Sequence, residues 1–336
     1  MSRPAAITVA HPDVLRAAVE AAIQAPSSHN SQPWRFRIVD HVLELFADPD
    51  RHLRVIDGER RQQIVSCGCA LYNARVAVRA LGFVDEVTVM LAEPEHPDLL
   101  ATLHLGAPHI STDADLALMA AIARRRTNRR AFGARPVAAQ ISDRLIAAAA
   151  AEGVTLVRLV PDEKRQVGAL INQADRLQYG DPAFRTEIAH WLTSTVSLRR
   201  DGIPFSEKEY GAGATLPFSV MRALRSPDLG GEFGTLEQEL VAGAPVVVVL
   251  GTRTDDPTDW LACGQALEAV LLLATSLGLS AAFLNQVIEV PALRGQLAAL
   301  LPAVGAPQLV LRIGIPEEVV HHASPRRRIE DVLQIG

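Results

Sequence analysis

The sequence predicts a chain of mixed helices and strands laid out as two related halves. Two alignments and one shared order support this. Residues 66–83 (SCGCALYNARVAVRALGF) and 262–279 (ACGQALEAVLLLATSLGL) align without gaps, with Cys-Gly, Ala-Leu and Leu-Gly at matching places. Further along, Leu103-His104-Leu105-Gly106-Ala107-Pro108 parallels Leu311-Arg312-Ile313-Gly314-Ile315-Pro316. Both halves run in the same order: apolar helix, Gly stop, variable stretch, short strand, Gly-x-Pro.

The elements follow from local pattern. Val14 to Gln24 reads as a helix and Trp34 to Val39 as a strand. Val42 to Ala47 reads as a strand with Leu43 and Leu45 on its buried face, stopped by Asp48-Pro49. Leu116 to Ile122 is helix-like, and Ser142 to Ala151 is a helix that turns at Glu152-Gly153 into a strand from Val154 to Val160. Val246 to Leu250, a continuous apolar run after Ala244-Pro245, predicts a central strand.

Ala269 to Ile288 carries no charged residue and is long enough to span a bilayer. Yet Thr275, Ser276, Gly278, Ser280, Asn285 and Gln286 interrupt it. A buried helix ending near Gly278, then a buried strand, fits better. The matching helix of the first half carries Arg75 and Arg79, which hydrocarbon would not accept.

Residues 180–231 mix glycine, proline and charge with Phe184, Trp191, Phe205, Tyr210 and Phe218. They read as an excursion from the core. A lid over a site and a surface subdomain packing its own aromatics remain equally open. The halves then fall at 1–110 and 111–336, the second bearing the insertion.

The chain has 336 residues, 49% hydrophobic and 21% charged, with a formal net charge of −5. That balance argues against a general nucleic-acid binder. Cys67, Cys69 and Cys263 form no C-x-x-C pair, which predicts a reduced, cytoplasmic protein. No partner at zinc spacing accompanies Cys67-Gly68-Cys69, and His321-His322 reads as a solvated pair, so no metal site is expected. The first apolar stretch, broken by His11, Pro12 and Asp13, does not read as a secretory leader. No G-x-G-x-x-G, Walker loop or G-x-S-x-G elbow is present.

Two segments carry the chemistry. Ala25-Pro26-Ser27-Ser28-His29-Asn30-Ser31-Gln32-Pro33-Trp34-Arg35-Phe36 is braced by prolines and dense in hydrogen-bonding groups, as recognition of a flat, heteroatom-rich ligand requires. Arg124-Arg125-Arg126-Thr127-Asn128-Arg129-Arg130 is the densest positive charge. It could be a solvated helix end, a nucleic-acid patch or a phosphate clamp. If the chain runs extended after Arg125, then Arg126, Asn128 and Arg130 share one side, which would suit a phosphate dianion. Ser324-Pro325-Arg326-Arg327-Arg328 could close around the same group.

These residues resemble a known family. The loop looks like the A-P-S-S-x-N-x-Q-P-W segment of FMN-dependent nitroreductases. Arg125 to Phe132 resembles their R-R-S-x-R-x-F segment, with Asn128 where serine is usual, and Arg326 to Leu333 resembles their closing stretch. Ordinary members carry the arginine segment first and bind flavin between two subunits. The reversed order, the length and the repeat resemble the Acg-like branch, in which one chain holds two nitroreductase-like halves and imitates the dimer internally.

The resemblance implies an α+β sandwich, antiparallel-rich and flanked by helices, and FMN as cofactor with NAD(P)H as electron donor. It implies that Arg126, Thr127, Asn128 and Arg130, completed by Arg326, hold the phosphate and ribityl chain. Pro26, Ser27, Ser28, His29, Asn30 and Gln32 would line the isoalloxazine ring. No side chain need act as acid or base, so no catalytic residue is nominated. The implied activity is transfer to nitroaromatic or quinone acceptors. The alternative is a protein that stores FMN without turnover. The implied partner is a small-molecule acceptor, with no nucleic acid, no membrane, and a monomer acting as its own dimer.

Overall fold

The computed structural model describes residues 11–91, 95–194, 198–205, 229–317 and 323–336. Helix α1 (His11–Ala22) buries Val14, Leu15, Ala18 and Val19, a spacing of one face of a helix. The polar loop leads from it into β1 (Trp34–Val39), which pairs antiparallel with β2 (Val42–Ala47). Val39 faces Val42, so the hairpin turns on two residues, Asp40 and His41, with φ of 48° and 66°. Positive φ at both positions is what a two-residue turn needs to match strand twist. Leu43 and Leu45 are buried as expected.

After α2 (Arg61–Ala80) come β3 (Phe83–Val89) and β4 (Leu99–Pro108), and β11 (Leu333–Ile335) returns from the far end of the chain. The five form one sheet in the order β11-β1-β2-β4-β3. Only the β1–β11 pair is parallel, with Phe36 beside Leu333. This pairing brings the segment from Ser324 to Arg328 alongside the polar loop.

The second half runs α3 (Asp113–Arg124), α4 (Ala139–Ala151), β5 (Thr155–Arg158), α5 (Pro161–Gly180), α6 (Pro182–Trp191), β6 (Leu192–Ser194) and β7 (Ile203–Phe205). It continues with α7 (Leu229–Gly243), β8 (Val246–Thr252), α8 (Pro257–Ser276), β9 (Ser280–Phe283), α9 (Gln286–Glu289), α10 (Pro291–Leu300) and β10 (Ala306–Gly314). A second sheet forms in the order β5-β8-β10-β9, antiparallel throughout. β8 is interior and wholly buried. Val246, Val248 and Leu250 enter the main core, while Val247 and Val249 enter a second core beneath α5 and α7. Two covered faces explain the unbroken apolar run.

The charge-free run behaves as expected: α8 ends at Ser276, Gly278 takes a φ of 77°, and β9 follows. No described helix is long and apolar enough to cross a membrane. The long helix α5 went unanticipated, although Val167, Ile171 and Ala174 recur at helical spacing and are buried.

Helices α2 and α8 cross at the centre of the main core with no side chain between them. A Cβ on Gly68 would lie 2.3 Å from the Leu261 carbonyl oxygen, and one on Gly264 would lie 2.0 Å from that of Val65. The Cys-Gly dipeptides of the repeat are therefore the point of backbone contact.

Candidate active site

The polar loop is a rigid piece of irregular backbone. His29, Asn30 and Gln32 have φ of 52°, 53° and 50°, in the left-handed region that non-glycine residues avoid. Hydrogen bonds hold it there. Ser27 Oγ accepts from the Gln32 amide at 2.9 Å, and Ser28 Oγ donates to Gln62 Oε1 at 2.5 Å. Pro26 is buried. Asn30 Nδ2 donates to the Gly202 and Pro325 carbonyls at 2.9 and 3.0 Å, and its Oδ1 accepts from Arg326 at 3.0 Å. Gln32 Nε2 donates to the Arg200 carbonyl at 2.7 Å, and its Oε1 accepts from the Arg327 amide at 2.7 Å. The carboxamides of Asn30 and Gln32 are thus engaged in tying the loop to the excursion and to the C-terminal segment. His29 keeps a buried Nδ1 without a partner. Its pKa is lowered to about 4 by burial and by Arg129, so the ring is neutral at physiological pH.

The arginine segment leaves α3 and runs extended along β9. Thr127 bridges to Ala281, and the Asn128 amide donates to the Ala281 carbonyl at 2.9 Å. Asn128 is buried, and its Oδ1 accepts from the Arg130 amide at 3.0 Å, so this side chain braces its own turn. Arg312 on β10, fully buried, donates to the Arg129 and Arg130 carbonyls at 2.7 and 2.8 Å. It also stacks over Phe132, 4.6 Å from the ring centre. Arg126 bends back to the Ala123 and Arg125 carbonyls at 3.0 and 2.8 Å.

The segment and the C-terminal arginine converge on the end of α1. Arg125 and Arg326 both donate to the Gln24 carbonyl, at 3.5 and 3.1 Å. Burial, then Arg125 and Arg126, push the Arg326 pKa down to about 9. Arg125, Arg126 and Arg326 thus lie close enough to act on one another and form a cationic cradle. The counter-charge inside is Glu268 on α8, fully buried, 3.7 Å from Arg125 Nε, too far for a hydrogen bond. The Nε atoms of Arg125, which faces Glu268, and of Arg326 are buried donors without a hydrogen bond. Orphaned donors of this kind fit a ligand anion.

A third wall lies beyond Ser28. Gln62 Nε2 and Gln178 Nε2 donate to the two oxygens of half-buried Glu289, at 2.9 and 2.7 Å. Gln286 Nε2 donates to Glu237 Oε2 at 2.5 Å. Burial raises Glu237 to about 7 and lifts neighbouring Asp175 well above the carboxylate range, with Glu237 and Glu289 adding to the latter shift.

The sequence pointed to Arg126 and Arg326, which lie together, and to the loop, which lies against Arg326. It did not single out Arg125, Glu268, Arg312, Gln62 or Glu289. A usable signal existed for two of them: Glu268 and Arg312 are single charges inside otherwise apolar runs. Among the described residues no group of His, Cys, Asp and Glu could hold a metal ion.

The excursion carries features of both its readings. Phe184, Ile188 and Trp191 pack with Leu53, Ile56 and Tyr179 in a small core of their own. Residues Arg200 and Gly202 lie against the polar loop. Tyr210 and Phe218 fall outside the described residues.

The fold is α+β, and Arg125, Arg126 and Arg326 lie beside a polar loop held at positive φ. Residues 122–315 match the Nitroreductase family, and the chain belongs to that family. A Mycobacterium tuberculosis H37Rv protein with the provisional name NAD(P)H nitroreductase Rv3131 is 35% identical over 98% of this chain and 94% of its own. The provisionally named NAD(P)H nitroreductase acg of the same strain is 30% identical over 98% and 97%. Among solved structures, the FMN and NADPH-dependent nitroreductase NfnB from Sphigopyxis sp. strain HMH is similar at 23% identity and a TM-score of 0.41, over 65% of this chain and 97% of that one. Family membership rests on the sequence matches.

Proposed function

We propose that the chain binds one FMN between the Pro26–Gln32 loop and the Arg125, Arg126 and Arg326 cradle, and acts as an NAD(P)H-dependent oxidoreductase. The orphaned Nε donors of Arg125 and Arg326, buried beside the loop, are the observation that carries this reading. When bound, the flavin supplies hydride transfer from NAD(P)H to a nitroaromatic or quinone acceptor. The chain's own residues bind and orient. Arg125, Arg126 and Arg326 neutralise the phosphate. Ser27 and Ser28, fixed by Gln32 and Gln62, present a preformed edge to the ring. Neutral His29 offers hydrogen bonding without adding charge there.

The halves 1–110 and 111–336 are proposed as an internal dimer. The self-reciprocal approach of Gly68 and Gly264 supports this, since a two-fold contact places equivalent residues against each other. A cytoplasmic monomer is the matching expectation.

Storage of FMN without turnover is the second reading. It is favoured by Arg200 and Gly202 lying over the loop. Anaerobic addition of NADPH or NADH to the yellow protein separates the two. Prompt bleaching is expected for a reductase, and a stable yellow colour would leave only storage. A colourless protein that takes up no added FMN would remove both.

A further inference from the structure

On the phosphate reading of the cradle proposed above, we infer that Glu268 takes up a proton when a phosphate dianion fills it, so that loading of the site is linked to pH. Glu268 stands where the first half has Tyr72 in the aligned repeat, so its charge is a property of this half alone. It is completely buried. Neither carboxylate oxygen has a hydrogen-bond partner.

Groups from three neighbouring segments act on Glu268. Arg125 approaches from the end of α3, at 3.7 Å. Arg326 acts on it from the C-terminal segment, and the Asn73 side chain on α2 also favours its charged form. Cys69, also on α2, has its thiol pushed up by burial and by the Glu268 charge. The two guanidiniums are what keep a carboxylate ionised in this apolar surrounding. They offset burial only in part, and the pKa stands at about 7.

The same guanidiniums form the phosphate cradle. A bound dianion competes for Arg125 and Arg326 and adds two negative charges nearby. Glu268 then loses its counter-charge, and burial decides its state. Asn73 Nδ2 also donates to the Ala21 carbonyl at 3.2 Å, so its support for the charged carboxylate does not replace the two guanidiniums. The step balances as carboxylate plus dianion plus one solvent proton giving carboxylic acid plus bound dianion.

The sign follows by linkage. Proton uptake on binding makes affinity fall as pH rises through and above neutrality. FMN should bind about ten-fold more weakly at about pH 9 than at about pH 7. Riboflavin, which has the same ring and no phosphate, should show no such slope. Free FMN is already a dianion there, because a phosphate monoester loses its second proton near a pKa of about 6.

The deciding measurement is calorimetry of the wild-type chain at about pH 8 in two buffers of different ionisation enthalpy, with FMN and then riboflavin. Uptake approaching one proton with FMN and none with riboflavin is expected. Equal uptake with both ligands, or none with FMN, overturns the role of Glu268. In Glu268→Gln the slope should vanish and binding at the higher pH should tighten; a retained slope overturns it as well. Should that variant not fold, the wild-type calorimetry decides alone. Failure of FMN to bind at any pH would remove the cofactor reading and this inference together, whereas binding without proton uptake removes this inference only.

Discussion

Gly68 and Gly264 lie against each other where the two central helices cross, with no room for a methyl group on either. A Cβ on Gly68 would come within 2.9 Å of the Gly264 Cα, and one on Gly264 within 2.8 Å of the Gly68 Cα. The obstructing atoms are helix backbone, which cannot rotate aside. Gly264→Ala and Gly68→Ala should each cost about 2–3 kcal/mol by overpacking. Gly295 in α10 has nothing within 4 Å of its would-be Cβ. There Gly→Ala should stabilise by about 0.5–1 kcal/mol through the unfolded chain. Urea midpoints of the three variants measure the contrast.

Arg326→Ala should weaken FMN binding by roughly 10- to 100-fold, the loss of one charge-assisted hydrogen-bonding group. Arg126→Ala should act in the same direction. Riboflavin affinity should change far less, because it lacks the group that the cradle holds. Fluorescence titration with the two ligands checks this, and equal losses for both would place the arginines outside a phosphate site.

Arg312 holds the carbonyls of Arg129 and Arg130 from a fully buried position. Arg312→Met keeps much of the volume and leaves both carbonyls without that donor. It should destabilise the fold by about 3–5 kcal/mol, since buried Glu237 also loses a nearby cation. Thermal unfolding of the apo chain reads this without any cofactor.

Glu237 has its pKa raised to about 7 by burial, and burial also lifts Asp175 well above the ordinary carboxylate range. Unfolded, both titrate in the ordinary carboxylate range. The native chain therefore binds more protons than the unfolded one at mildly acidic pH. Its stability is full below the unfolded values and is lost as pH rises through the folded ones. The urea midpoint should decline from about pH 5 to about pH 8, and Glu237→Gln should flatten the decline. A midpoint that rises over this range in the wild type would contradict it.

Cys67, Cys69 and Cys263 are buried, and burial pushes all three thiols up, Cys263 to about 12. The native chain should resist an aromatic disulfide reagent and release three thiols only on unfolding. Reaction of the folded protein at a free-thiol rate would show that the central crossing opens.

Much of the architecture could be read from the chain because its signals are local. β1 and β2 have the predicted bounds, since period-two burial and the stops at Asp40-His41 and Asp48 are written in neighbouring residues. The helix of the charge-free run was recognisable from Gly278 and the polar residues after it. The aligned Cys-Gly dipeptides announced a relation between residues 66–83 and 262–279. Helix α5 was missed because its apolar spacing is diluted by polar residues that face solvent.

What the sequence determined by itself was the element pattern, the two chemical segments and the family they resemble. Tertiary structure decided which atoms of those segments are spent within the protein and which are left unsatisfied. Asn30, Gln32 and Asn128, expected at a ligand, each make hydrogen bonds with backbone groups. Arg125, within a segment whose pattern left a helix end, a nucleic-acid patch and a phosphate clamp open, lies buried beside Glu268. The physical reason is that hydrogen bonds and burial join residues far apart in the chain: Asn30 with Arg326, Arg125 with Glu268, Gly68 with Gly264. Local pattern names the side chains available, and only the packing of α2 against α8, with β11 added beside β1, selects those left unsatisfied.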